Sequence, residues 1–278
     1  MEKRARVVAV GNQKGGVAKT TIAVHLANGL AEMGYKCLVF DLDMNCGSTR
    51  HFGIPPDMPV LGTYEVLVGE ESPHEVVITN GEIEGVQLPE NLDLIAARRN
   101  LEAINTVLIE KHKFGNPNEV LKPVLDDLRG SYDFIFCDTA PNATIPTIAA
   151  YKSADYFLLS AVPESFAIDG LGTALQDIAT VKSQGNPELK LIGVVLSSIG
   201  RTSRLQRELL DYVRDTFDKG DEFMRSYETS ISRTTYISAC QKEGSTMFQM
   251  HPSHKVTEQY RSLAKEFEYR IQKIEKSA

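Results

Sequence analysis

The sequence has no paired cysteines: its four stand alone at Cys37, Cys46, Cys137 and Cys240, without a CxxC spacing. That pattern excludes a disulfide framework and a cysteine-built zinc site, and suits a reducing compartment. No long apolar run is present either. Gly, Asp or Lys interrupts each one within about ten residues, too few to span a bilayer. The basic start MEKRARVVAVGNQ runs straight into a strand-like stretch with no cleavage site, so no signal peptide is expected. Repeats, low-complexity tracts and Pro/Ser-rich linkers are missing, and a single domain over residues 1–278 is expected.

An overall positive charge is also lacking; the formal net charge is −7. The average hides an asymmetry. From Arg201 onward there are 14 Lys and Arg against 12 Asp and Glu, whereas the first 200 residues hold 16 against 25. Affinity for a polyanion would therefore sit on a face of the last third. Hydrophobic residues at 42% and charged residues at 24% exclude a disordered chain.

Apolar runs alternate with helical patterns along the chain. Arg6–Gly11, Lys36–Asp41, Leu92–Ala96, Tyr132–Asp138, Asp155–Ala161 and Leu189–Leu196 read as buried strands. Helices are predicted near 20–33, 98–112, 117–129, 166–183, 203–217 and 254–275. The last carries an apolar stripe at Val256, Tyr260, Leu263, Phe267, Ile271 and Ile274. Such alternation predicts an α/β fold, a mainly parallel twisted sheet with helices on both faces. Gly53–Pro59 reads as a loop within that fold.

The sharpest local signal follows the first strand: Gly11-Asn12-Gln13-Lys14-Gly15-Gly16-Val17-Ala18-Lys19-Thr20-Thr21, opening a helix. Glycines there let successive N–H groups turn toward a phosphate chain, and the helix start adds partial positive charge. Gly15 to Thr21 are the expected nucleotide-binding residues. Lys19 is placed to reach the β- and γ-phosphates, and the Thr20 hydroxyl to coordinate Mg²⁺. The strict P-loop pattern fails twice, with Ala18 before the lysine and Gln13 six positions ahead of it. A glycine-rich turn without a ligand would not require the Lys-Thr-Thr, the strand before it and the helix after it together.

NQKGGVAKTT closely resembles the deviant Walker A box of the ParA-type ATPases, usually NQKGGVGKTT. DLDMNCGST at 41–49 is similar to the family's DxDPQ switch segment, and FIFCDTAP at 134–141 to its Walker B strand. LDLIAARRNLE, VPESFAIDGLGTAL and TSISRTTYISACQKEGS also match, so the resemblance covers nearly the whole chain. It implies a P-loop ATPase that uses ATP and Mg²⁺ and dimerises with ATP. It further implies non-specific DNA binding, a ParB- or McdB-type adaptor, and a cytoplasmic, nucleoid-associated life. Lys14 then becomes the signature lysine that reaches the nucleotide of the other subunit. Two lysines five residues apart cannot easily serve one phosphate tail, which suits that assignment.

Asp41, Asp43 and Asp138 fall at strand ends, where open α/β sheets gather their ligands. Asp138 is expected to hold Mg²⁺ through water, Asp43 to orient the attacking water, and Asp41 to support the metal shell. Two departures from the family stand out. Ala18 replaces glycine: if that position needs a positive φ, nucleotide affinity suffers, and otherwise the change is tolerated. Met44-Asn45 replaces Pro-Gln, which predicts a looser switch loop and altered hydrolysis. In the last third, Arg201, Arg204 and Arg207 recur every three residues into the helix predicted near 203–217 and are the expected DNA contacts. MinD-type membrane targeting needs a free amphipathic tail; here the stripe lies on a long helix predicted to dock on the sheet, so no membrane partner is expected. The cargo of such an ATPase could be a plasmid, a chromosome or a carboxysome-like organelle. The alternative is a nucleotide-gated DNA-binding scaffold with little turnover.

Overall fold

The computed structural model describes residues 4–162, 167–200, 211 and 226–277. Seven strands form one sheet: β1 (Arg6–Gly11), β2 (Cys37–Asp41), β3 (Val77–Ile78), β4 (Leu92–Ile95), β5 (Phe134–Asp138), β6 (Tyr156–Ala161) and β7 (Lys190–Leu196). Their order is β3-β4-β2-β5-β1-β6-β7, parallel throughout except for the antiparallel edge pair β3/β4. The described helices are α1 (Lys19–Glu32), α2 (Gly47–His51), α3 (Thr63–Val68), α4 (Ile104–Lys111), α5 (Leu121–Leu128) and α6 (Ile145–Ser153). They continue with α7 (Ala167–Gln184), α8 (Tyr236–Lys242), α9 (Met247–Met250) and α10 (Lys255–Ser277).

Each of the six strands expected from the sequence is present, with ends displaced by a residue or two. The segment 98–112 is not one helix: it divides into a 3-10 turn over Arg99–Ala103 and α4. Likewise 117–129 divides into a 3-10 turn at Pro117–Glu119 and α5. Proline at the turn's first position fixes φ without needing a donor, so a new segment starts there. The predicted helix over 203–217 lies outside the described residues except for residue 211, and so do Arg201, Arg204, Arg207 and residues 163–166.

Consecutive strand residues point to opposite faces, so each strand feeds two cores. Val7, Ala9, Leu38, Phe40, Ile135 and Cys137 join α4, α5, α6 and α7 on one side. Val8, Val10, Val39, Phe134 and Phe136 join α1 and α10 on the other. Burial on both faces explains why the strands read as unbroken apolar runs. In α10 the whole stripe from Val256 to Ile274 is buried, with Phe267 5.8 Å from the rings of both Phe134 and Phe136. The stripe is thus spent within the core. Among the described residues, no helix is long and apolar enough to cross a membrane.

Parallel pairing sets the chemistry in place. Asp41, the last residue of β2, lies opposite Asp138, the last of β5, and Val10 of β1 also pairs with Asp138. The strand ends thus bring the β1–α1 loop, the segment after β2 and the segment after β5 to one edge of the sheet.

Candidate functional site

The loop between β1 and α1 is held by its neighbours rather than by its own glycines. Asn12 donates from Nδ2 to the Ser160 carbonyl at 2.8 Å, and its Oδ1 accepts from the Lys14 N–H at 2.9 Å. The Ser160 hydroxyl donates to the Val17 carbonyl. Gln13 bonds Asp177 of α7 at 2.5 Å. A Cβ built on Gly15 or on Gly16 meets nothing within 4 Å, and Gly16 has φ of 75°. The amide-bearing face there is open.

Helix α1 begins without a side-chain cap and without an acidic residue in its first turn. Its leading N–H groups and positive dipole end are left for an outside acceptor, an arrangement that suits phosphate. Lys19 is 7% exposed and its ammonium donates to the Lys14 carbonyl at 3.1 Å, lying across the loop. Burial lowers its pKa, while the charges of Asp138 and Asp43 act to raise it. A cleft of about 420 Å³ runs along this loop and is lined by Gly15 to Thr21, Asp43 and Asn45, with Pro141, Val162 and Ser198.

Ala18 settles one question left open by the sequence. It adopts φ 66° and ψ 24°, the left-handed region. The methyl group therefore sits on backbone where glycine carries no steric cost.

The carboxylates differ sharply in their surroundings. Asp138 is fully buried; its Oδ2 accepts from the Ser48 hydroxyl at 2.7 Å, while its Oδ1 has no hydrogen-bond partner. Burial raises its pKa, and the Asp43 charge adds to this, while the Ser48 hydrogen bond, the neighbouring Thr20 hydroxyl and the charge of Lys19 act to lower it. Asp41 is equally buried, and both oxygens are engaged. Oδ2 accepts from the Thr49 N–H at 2.8 Å and the Thr49 hydroxyl at 2.7 Å, and Oδ1 from the Asp43 N–H at 3.2 Å. Its pKa is also raised, by burial first and then by the charge of Asp138. Asp43 reaches the cleft, and its Oδ1 accepts from both the N–H and the Nδ2 of Asn45, at 2.9 and 2.8 Å. Asn45 thus ties the switch loop at the point where loosening was expected.

The structure brings Lys14, Lys19, Thr20, Asp41, Asp43 and Asp138 to one edge of the sheet. Sequence reasoning missed the residues that hold them: Asn12, Asn45, Ser48, Thr49, Ser160 and Asp177. Ser48 and Thr49 lay within a quoted motif. Asking which hydroxyls could satisfy two buried carboxylates would have singled them out. Asp177 carried no local signal. Among the described residues, no group of three or more His, Cys, Asp or Glu could hold a metal. The donor set here is instead one hydroxyl and one carboxylate beside a phosphate cradle, which fits Mg²⁺ carried on a nucleotide.

Comparison with known proteins agrees with this geometry. Residues 5–191 match the family described as AAA domain. The chromosome partitioning protein ParA of Caulobacter vibrioides is 31% identical over 235 residues, covering 84% of this chain and 82% of its own length. A Mycobacterium smegmatis structure described as cobyrinic acid a,c-diamide synthase, with bound ATP analogue and magnesium, superposes with a TM-score of 0.77. It is 26% identical and covers 94% of this chain and 93% of that one. The Cyanothece McdA–ATP complex has the same fold, with a TM-score of 0.78 at 19% identity, covering 97% and 96%. Strand order, deviant phosphate loop and sequence kinship therefore converge: the chain belongs to the AAA-domain family and, within it, to the ParA-type ATPases of the ParA/MinD superfamily.

Proposed function

We propose that this protein binds Mg·ATP, dimerises on it, holds DNA without sequence preference, and releases it on adaptor-stimulated hydrolysis. By that cycle it segregates or positions a cargo such as a plasmid, a chromosome or a carboxysome-like organelle. The observation that carries the reading is the uncapped start of α1 facing Lys19, with Asp138 beside it offering one unpartnered oxygen. The role of the Caulobacter relative, chromosome partitioning, supports the cargo class.

The residues divide the work. Backbone N–H groups from Gly15 to Thr21 cradle the phosphates, and Lys19 swings from the Lys14 carbonyl to the β- and γ-phosphates. The Thr20 hydroxyl and, through water, Asp138 Oδ1 would hold Mg²⁺. When bound, the metal neutralises charge on the phosphate oxygens. Asp43 orients the attacking water in line; Asn45 fixes its carboxylate for that task. Asp41 holds Thr49 and the Asp43 N–H, which positions the switch segment rather than the metal. Lys14 reaches the nucleotide of the second subunit. Turnover without the adaptor is weak.

DNA binding is assigned to the last third because its charge balance is reversed relative to the rest of the chain. Dimerisation sets two modest basic patches side by side, and each phosphate contact releases counterions, so affinity rises steeply. Nucleoid association follows from that. The test is anisotropy of unrelated labelled duplexes with ATP and with ADP, alongside steady-state phosphate release. ATP should give tight, sequence-independent binding whose log–log slope against salt is about −0.9 per phosphate contact. Asp43→Ala should bind DNA with ATP yet release no phosphate. Equal binding in ADP, or a strong preference for one sequence, would refute the reading. Negligible phosphate release by the wild type with DNA and adaptor would favour the scaffold alternative.

A further inference from the structure

The start of α2 touches both groups assigned to the metal. A Cβ on Gly47 would stand 2.7 Å from Thr20 Oγ1, so only glycine lets the helix come this close to Thr20. One residue on, the Ser48 hydroxyl, itself fully buried, donates to Asp138 Oδ2 at 2.7 Å. Next to it, Thr49 holds Asp41. Asp138 Oδ1 is left buried and unpartnered. A carboxylate on a freely turning χ2 presents either oxygen; one pinned at Oδ2 presents Oδ1 alone.

We propose that Ser48 is a positioning residue for the magnesium site, fixing Asp138 so that Oδ1 faces the metal's water. The inference rests on the reading that Asp138 helps hold Mg²⁺. Its physical logic is that of outer-shell partners generally. A ligand that is already oriented loses less freedom when the ion arrives, and removing the orienting group weakens metal affinity by about 10- to 100-fold. A consequence follows for the switch. Since α2 begins directly after Asp43-Met44-Asn45-Cys46, the hydroxyl that orients the metal carboxylate moves with the switch loop. Metal occupancy and switch position are thereby linked through one hydrogen bond.

The experiment measures binding of fluorescent mant-ADP to the full chain, first in EDTA and then across a Mg²⁺ titration. Ser48→Ala removes the hydroxyl without adding volume, and should leave mant-ADP affinity in EDTA unchanged. Its half-saturating Mg²⁺ should rise about tenfold. Ser48→Thr, which keeps a hydroxyl on the same carbon, should restore much of the loss. Asp138→Asn supplies the reference and should raise half-saturating Mg²⁺ at least as far. A general disturbance of the fold would weaken the EDTA affinity as well, and that result overturns the positioning role. If Asp138→Asn shifts the Mg²⁺ dependence and Ser48→Ala does not, the inference is wrong while the site reading stands. If neither shifts it, the assignment of Asp138 itself fails, and Ser48 with it.

Discussion

Ala18 offers a direct test of how this loop is built, through Ala18→Gly. The alanine sits at φ 66°, where a Cβ crowds the backbone at a cost of about 1–2 kcal/mol relative to glycine. Glycine returns part of that by making the unfolded chain freer, by about 0.4–1 kcal/mol. The net expectation is a stabilisation of about 0.5–1 kcal/mol. In a chain of this size that shifts the midpoint upward by about 1–3 °C in a thermal melt. The same exchange at Ala23, buried in the middle of α1, should have the opposite sign. There glycine raises the entropy lost on forming the helix and leaves a gap, costing at least about 1 kcal/mol.

The effect on nucleotide is separable. The loop already holds its left-handed turn at Ala18, so the strain is present before binding and largely cancels from the binding equilibrium, and the loss of affinity expected from a positive φ becomes instead a cost to the fold. Calorimetry of Ala18→Gly with Mg·ATP should show affinity within about threefold of the wild type, below 1 kcal/mol. Two results would refute this reasoning. An unchanged or lowered melting temperature would mean that the position carries no strain. A tenfold or greater gain in affinity would mean that the methyl group is paid for on binding, and that the free loop adopts another shape.

The two loop lysines should separate by assay. Lys19→Ala should abolish nucleotide binding by calorimetry, whereas Lys14→Ala should bind ATP and fail to dimerise by light scattering; equal loss of ATP binding would confine Lys14 to its own subunit. Acid should destabilise the fold through a buried histidine on α1. His25 is fully buried against Tyr260 and His51, and desolvation lowers its pKa from 6.5 to about 4. Between those values the unfolded chain binds the proton and the folded one does not. Stability is therefore complete above pH 6.5 and falls as pH drops toward 4, by roughly 3 kcal/mol from this group. Urea denaturation at pH 7.5 and 4.5 should show a smaller difference for His25→Asn than for the wild type, and equal differences would dismiss His25 as the cause.

The fold was legible because its strands are buried on both faces. Runs such as Arg6–Gly11 and Tyr132–Asp138 carry no polar alternation to confuse the reading, and they recur between helical patterns at crossover spacing. What escaped was short or locally determined. Edge strand β3 has two residues, too few for any period to register. Helix α2 has five and begins at Cys46 in the left-handed region, with φ 55°, a start that no side-chain cap announces. The loop–helix boundaries at Pro117 and Arg99 turn on the difference between 3-10 and α geometry, which apolar spacing does not resolve.

The site was legible to a different depth. Residues assigned to the nucleotide are recognisable because their chemistry is unusual for their setting: a lysine beside glycines at a helix start, and aspartates at the ends of apolar strands. Residues that hold those groups in place are ordinary serines, threonines and asparagines, and only three-dimensional partners give them meaning. Asn45 illustrates the limit. In sequence it is half of a departure, Met44-Asn45 for Pro-Gln, that removes a stiffening proline from the switch. In space its side chain and backbone both bind Asp43 Oδ1, replacing covalent stiffness with two hydrogen bonds to the residue proposed to orient the water. A loop can lose a proline and remain ordered if a neighbouring amide takes over the restraint, at a net worth of about 1.5–3 kcal/mol per bond to a charged acceptor. Ser48 extends the same logic one turn further: in this chain the switch segment is fastened to each aspartate in succession, Asn45 to Asp43, Ser48 to Asp138 and Thr49 to Asp41. Displacing α2 from the strand ends would break the Ser48–Asp138 and Thr49–Asp41 bonds, which ties the shape of the segment to the carboxylates at its edge.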